Sequence, residues 1–183
     1  MTLALSTSSP LVSVALFDEA GQLVGSAEET APRAASGTVI RLALTLLGDA
    51  GLSSVRRLVV DSGPGSFTGV KVGLAVAKSW AYALGVPVAP VTSFDLTGVV
   101  GAVALPSKKG EHFYRSASGE VSVVSGLLPE GTVVGESPRA AEAGAHLCDL
   151  VYGDAMSLAG FYVAEPSISQ AKQAHIMGET FGV

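Results

Sequence analysis

The sequence predicts an α/β protein of two related lobes, each built on a mixed sheet with flanking helices. Three observations predict it. Short apolar, β-branched runs occur in threes joined by tight turns, which makes an antiparallel meander in each half. Segments of helical period follow each meander. The turns Ala20-Gly21 and Ser118-Gly119 also occupy matching places about a hundred residues apart. That spacing exceeds the period of solenoid repeats, so it reads as a duplicated lobe. The expected division is residues 1–93 for the first lobe and 94–183 for a smaller second lobe.

In the first half, Thr2 to Leu5, Leu11 to Phe17 and Gln22 to Ala27 are the three strands, with Asp18-Glu19-Ala20-Gly21 as turn chemistry. Val39, Leu42, Ala43, Leu46 and Leu47 recur at helical spacing within Thr38 to Leu47, and Gly48 and Gly51 close that helix. Arg57 to Asp61 is a strand, Val70 to Leu84 a long helix stopped by Gly85 and Pro87, and Val86 to Val91 another strand. In the second half, strands are expected within Val99 to Leu105, Glu111 to Ala117 and Glu120 to Ser125. Helices are expected over Arg139 to Leu150 and Ala155 to Ala164.

Composition bounds the function. Hydrophobic residues make up 48% of the 183 and charged residues 15%, which is enough apolar material for a sizeable core. The formal charge of -5 and the scattered Lys and Arg argue against unaided nucleic-acid binding. A single cysteine excludes an internal disulfide and a multi-cysteine zinc site, and Cys148, in an apolar stretch, is expected to be buried. The start lacks a basic n-region, and the uncharged run Ser79 to Phe94 is broken by Gly85, Pro87 and Pro90. The expected setting is the cytoplasm, away from the membrane.

The specific signal lies at Ser62-Gly63-Pro64-Gly65-Ser66-Phe67-Thr68-Gly69, between a strand and a helix whose start Ser66 and Thr68 can cap. Such a turn either gathers N–H groups around an anion or lets the helix pack closely on the sheet. It lacks the lysine of a Walker loop and the glycine spacing of a dinucleotide fingerprint. In the following helix Gly73, Ala77 and Ala81 share one face, flanked by Val70 and Leu84, which suits close approach of another element, internal or external.

Gly-Pro-Gly-Ser-Phe-Thr-Gly followed by Val-Lys-Val-Gly-Leu-Ala-Val-Ala-Lys resembles the signature of the TsaB (YeaZ) family, accessory paralogues of the glycoprotease-like TsaD family. Leu-Ala-Leu-Ser-Thr-Ser at the start, Gly85-Val86-Pro87-Val88 and Lys109-Gly110-Glu111-His112-Phe113-Tyr114 are similar as well. The resemblance covers residues 1 to about 125. It implies an actin-like (ASKHA, ribonuclease H-like) fold and a non-catalytic role in tRNA threonylcarbamoyladenosine modification, with TsaD and the ATPase TsaE as partners and tRNA reached only indirectly. The docking surface expected from loop, helix and resemblance together is Gly63, Pro64, Gly65, Ser66, Phe67, Thr68, Gly69, Val70, Gly73, Leu74, Ala77 and Ala81.

Catalytic residues, metal ligands and a cofactor are not expected. Ser6-Thr7-Ser8-Ser9-Pro10 has no phosphate-site Asp, Arg33 to Gly37 has no histidine, and His112, His146 and His175 form no helical pair. Asp61 is the carboxylate nearest the loop and reads as a turn or cap residue. Two alternatives stand beside the accessory role. One is a degenerate nucleotide-dependent transferase or metallopeptidase, with nucleotide held at a complex interface. The other is a homodimeric scaffold that self-associates when isolated.

Overall fold

The computed structural model describes residues 1–163. β1 (Thr2–Ser6), β2 (Leu11–Phe17) and β3 (Leu23–Thr30) form the first meander. α1 (Ala35–Leu47) crosses to β4 (Arg57–Asp61), and α2 (Phe67–Leu84) crosses to β5 (Val88–Val91). The resulting five-stranded sheet has the order β3-β2-β1-β4-β5, with β1, β4 and β5 parallel. β6 (Val103–Pro106), β7 (Glu111–Arg115), β8 (Val121–Ser125) and β9 (Val133–Val134) give a second sheet of order β8-β7-β6-β9. Its connectivity repeats the first four positions of the first sheet, two antiparallel pairings and then a parallel one. The mixed-sheet α/β architecture expected from the sequence is present, and the duplicated pattern is a duplicated topology.

β1, β2, β4 and β5 are largely buried on both faces while β3 is mostly exposed, and strand alternation assigns the buried residues. Leu3, Leu5, Val12, Val14, Leu16, Leu58 and Val60 pack with α1 and α2 in a large cluster. Ala4, Ala15, Phe17, Val59 and Val91 point the other way and pack with Leu96, Ala140, Ala143 and Leu147. The Ala-rich stretch therefore returns from the second half to cap the first sheet. It does so as a 3-10 helix over Ala140–His146, not as the α-helix expected from Arg139 to Leu150. Three residues per turn stack Ala140 and Ala143 on one face. Ser13 Oγ accepts from the Ala140 N–H at 2.8 Å, and a Cβ on Gly144 would fall 2.8 Å from the Phe17 ring. Cys148 lies off that face and is exposed, contrary to the sequence reading.

The helix expected from Ala155 is likewise replaced by a turn and an extended strap. Asp154 Oδ1 accepts from the N–H groups of Met156 and Ser157, both at 2.8 Å, Leu158 is buried in the large cluster, and Gly160 follows. Gly153 bridges Val88 on the outer side of β5. Residues from 164 on, including His175 and the end of that expected helix, lie outside the described residues. Among the described residues no helix is long and apolar enough to cross a membrane.

The join between the sheets is polar. Arg115 of β7 donates to the Asp95 carboxylate and lies over the Phe94 ring, 5.3 Å from its centroid. His146 Nε2 is 3.1 Å from the Asp95 carbonyl oxygen. Burial acts to raise the Asp95 pKa, but the Thr92 hydroxyl and the Arg115 guanidinium hold it below its ordinary value.

Candidate functional site

β1, β4 and β5 are parallel, so their carboxyl ends meet at one edge of the first sheet. Each runs out in hydroxyl residues or a carboxylate: Ser6-Thr7-Ser8 after β1, Asp61-Ser62 at β4, Thr92-Ser93 after β5. Asp61 is 1% exposed and joins all three. Its Oδ2 accepts from Ser6 Oγ at 2.6 Å and Ser8 Oγ at 2.5 Å. Its Oδ1 accepts from Ser93 Oγ at 2.6 Å and from the Gly63 N–H at 2.9 Å. Burial pushes the Asp61 pKa up, against four donors that pull it down. The expected turn-or-cap residue is thus the hub of a buried network. Its serine partners are 32 to 55 positions away in sequence, so local spacing could not reveal them. The available signal was the hydroxyl residues at three strand ends, which only the sheet order brings together.

The network fixes the glycine-rich loop from below. Gly63 has φ +103 and is followed by a cis Gly63–Pro64 bond. Ser62 N–H donates to the Val91 carbonyl at 2.8 Å, and Ser93 N–H to the Gly63 carbonyl at 2.8 Å. Ser66 caps α2, its Oγ accepting from the Gly69 N–H at 3.3 Å, so the helix begins at Phe67, three residues earlier than expected. Thr68, the other expected cap, is an exposed residue of the first turn.

The loop's glycines resolve the choice left by the sequence. A Cβ on Gly65 would collide with the Ser8 carbonyl oxygen and one on Gly69 with that of Thr7. The Ser66 N–H donates to the same Ser8 carbonyl at 2.7 Å. The concavity that would cradle an anion is filled by the β1–β2 connection, which turns carbonyl oxygens toward it. Close packing is the use of these glycines.

The small-residue face of α2 has the same use. Gly69, Val70, Gly73, Leu74, Ala77 and Ala81 are all buried. A Cβ on Gly73 would lie 2.6 Å from Thr7 Oγ1 and 3.5 Å from Val60. This half of the expected docking surface faces the protein's own sheet, because a helix crossing a buried sheet needs small residues where the strands press closest. Gly63 and Pro64 are also buried, and Gly65 is half-buried. Ser66, Phe67 and Thr68 are the exposed members of the set.

Phe67 is 38% exposed at the rim of a cleft of about 650 Å³ between the sheets. Its ring lies 5.5 Å from that of Tyr162 and 3.9 Å below Lys71 Nζ. Phe161 N–H donates to the Ser62 carbonyl at 2.7 Å, so the strap lies against the loop. Along α2, Lys71, Ala75, Ser79 and Tyr82 are exposed, while Trp80 is half-buried against the core.

The comparisons agree with this geometry. The family model of TsaD, tRNA N6-adenosine threonylcarbamoyltransferase, matches residues 23–111, a span running from β3 into β7 and containing the loop and α2. A TsaB, tRNA threonylcarbamoyladenosine biosynthesis protein, from Haemophilus influenzae is 34% identical over 93 residues, 50% of this chain and 39% of that protein. A Pseudomonas aeruginosa crystal structure, described as similar to peptidase YeaZ, superposes with TM-score 0.76 at 22% identity, covering 89% of this chain and 99% of that one.

The chain is TsaB/YeaZ-like.

A Mycobacterium leprae protein, uncharacterized, is 34% identical over 124 residues, 60% of this chain. The chain spans about a third, 34%, of the length of that relative. The YeaZ-like fold accounts for the two sheets and for the loop between β4 and α2.

Proposed function

We propose that this chain is an accessory, non-catalytic subunit in tRNA threonylcarbamoyladenosine biosynthesis, acting in the cytoplasm by binding and activating TsaD, with TsaE as a further partner and tRNA met only through the complex. The observation that supports this reading is the interior of the glycine-rich loop. Its signature carries the resemblance to TsaB, yet the N–H groups of Ser62, Gly63, Ser66 and Gly69 are bonded within the chain, to Val91, Asp61, Ser8 and Ser66. A loop tied down at these four positions fixes the helix start, and what it offers outward is Ser66, Phe67, Thr68 and the outer side of α2. An aromatic ring beside a cation, on a helix fixed at its N-terminus, suits an interface anchor.

The test is size-exclusion chromatography with light scattering, using this protein, the TsaD of the same cell, and their mixture. A heteromeric peak is expected for the wild type and lost in Ala75→Arg and Phe67→Glu. Both substitutions are at exposed helical positions, and Glu suits the positive N-terminal end of α2. Ala77→Arg is unsuitable, because it would force a guanidinium into the core. Two unchanged peaks would overturn the accessory reading. Thermal stabilisation by ATP with magnesium would then favour the transferase alternative.

A further inference from the structure

The two sheets are joined at two places of different chemistry. One is the polar contact at Asp95, where Arg115 of β7 bonds the turn that follows β5. The other lies on the cleft side, where the strap after Asp154 reaches from the first lobe to the second. The strap has a fixed part and a looser one. Leu158 is 4% exposed within the large cluster of the first lobe. A Cβ on Gly63 would stand 2.7 Å from the Phe161 carbonyl oxygen, so the bond from Phe161 to Ser62 presses the backbone onto the loop.

Tyr162 and Val163 are held differently. Neither has a backbone hydrogen bond among the described residues, so their side chains hold them. Tyr162, 46% exposed, lies against the Phe67 ring, and Val163 packs on the cluster of Phe94, Val103, Leu105 and Phe113. Three consecutive residues thus touch the loop, the first residue of α2 and the core of the second sheet. That core is small, so a flanking valine covers a large share of it. The Phe67 ring is shared as well: Tyr162 takes one side, Lys71 Nζ stands over its face, and the rest is open to solvent. A protein that packs on this ring competes with Tyr162 for it.

We infer that Tyr162 and Val163 tie the start of α2 to the core of the second sheet, and that a protein docking on Phe67 displaces Tyr162, draws Val163 out and loosens the second lobe. The identity of that protein as TsaD rests on the accessory role proposed above; the tie does not. The path is short, one ring contact and one peptide unit. The fixed part of the strap stays in place, because Leu158 and the Phe161 bond anchor it to the first lobe. The response is confined to β6, β7 and the cleft they line, since β1 and β4 are packed from both sides by other elements. Docking on one lobe is thereby reported in the other.

The test is native-state hydrogen exchange of the full chain, read at the amides of β6 and β7, with those of β1 and β4 as reference. Tyr162→Ala, at an exposed position, should speed exchange in β6 and β7 about tenfold, the scale of one aromatic pair, and leave β1 and β4 unchanged. Phe67→Ala lies in the other lobe and should give the same pattern, and the double variant should add nothing further. Tyr162→Phe keeps the ring contact and should behave as the wild type. Added TsaD should speed β6 and β7 in the wild type and change nothing there in Tyr162→Ala, where the tie is already released. Unchanged β6 and β7 in Tyr162→Ala, or in Phe67→Ala, would overturn the tie, as would equal acceleration of β1 and β4. Bound TsaD with no change in β6 and β7 would overturn its release by docking. If TsaD does not bind the wild type at all, the accessory reading fails, and the variants alone still decide the tie.

Discussion

The two sheets share a strand order and differ in what covers them. In the first, α1 stands between the meander and its parallel strand; in the second, Gly126 to Thr132 fills the corresponding gap without a helix. The first sheet packs between α1 and α2 on one side and the Ala140–His146 turn on the other. Among the described residues the second has a buried cluster of Phe94, Val103, Leu105 and Phe113, and β8 is exposed or half-buried. Strand pattern therefore reproduces connectivity, but helices decide whether a sheet becomes a rigid core. The chain invests its apolar residues in the lobe that carries the loop, and leaves the other with edges and faces suited to contact.

The largest expected effect compares matched leucines, Leu5 in β1 and Leu105 in β6, 1% and 3% exposed. Leu5→Ala should cost about 4 kcal/mol of unfolding free energy and Leu105→Ala about 2 kcal/mol, since the thinner cluster can collapse around the loss. Urea denaturation decides it, and equal costs would show the second core to be as well built as the first.

Next comes the hub of the first lobe. Asp61→Ala should cost roughly 3 kcal/mol, because it strands three buried hydroxyls and an N–H. The pH dependence has a definite sign. A folded-state pKa above the unfolded value means that folding favours the protonated carboxyl. Its contribution is fully present below the unfolded value and is lost as pH rises through the folded one. The stability of the wild type relative to Asp61→Asn should therefore fall across that window. A flat difference between the two would refute the raised pKa.

The smallest effect separates glycines by use. Gly69→Ala should destabilise by about 2 kcal/mol, because its Cβ meets the Thr7 carbonyl. Gly37→Ala, with open space around its Cβ at an exposed position of α1, should stabilise by about 0.5–1 kcal/mol. Thermal melts rank the pair, and the same sign for both would break the distinction.

Much of this was legible in the sequence because it is local. Apolar runs between turn residues gave the meanders, Arg57 to Asp61 came out to the residue, and Gly85 marked the end of α2 with φ +64. The parts that were not legible depend on distant partners. The stripe Gly73, Ala77 and Ala81 looks the same whether it meets another protein or its own sheet, and only Thr7 and Val60 decide. The Ala-rich segment has helical composition, but packing against Ser13 and Phe17 tightens it to three residues per turn and turns Cys148 outward. Asp61 reads as a strand terminus until β1 and β5 bring their serines to it.

Trp80 is the only tryptophan in the chain, and it is half-buried on α2 between the core and the exposed face. Its emission therefore comes from the helix on which docking is proposed, with no competing indole. Binding along that helix would shift the wavelength or quench the signal, so the unmodified protein carries its own optical titration probe.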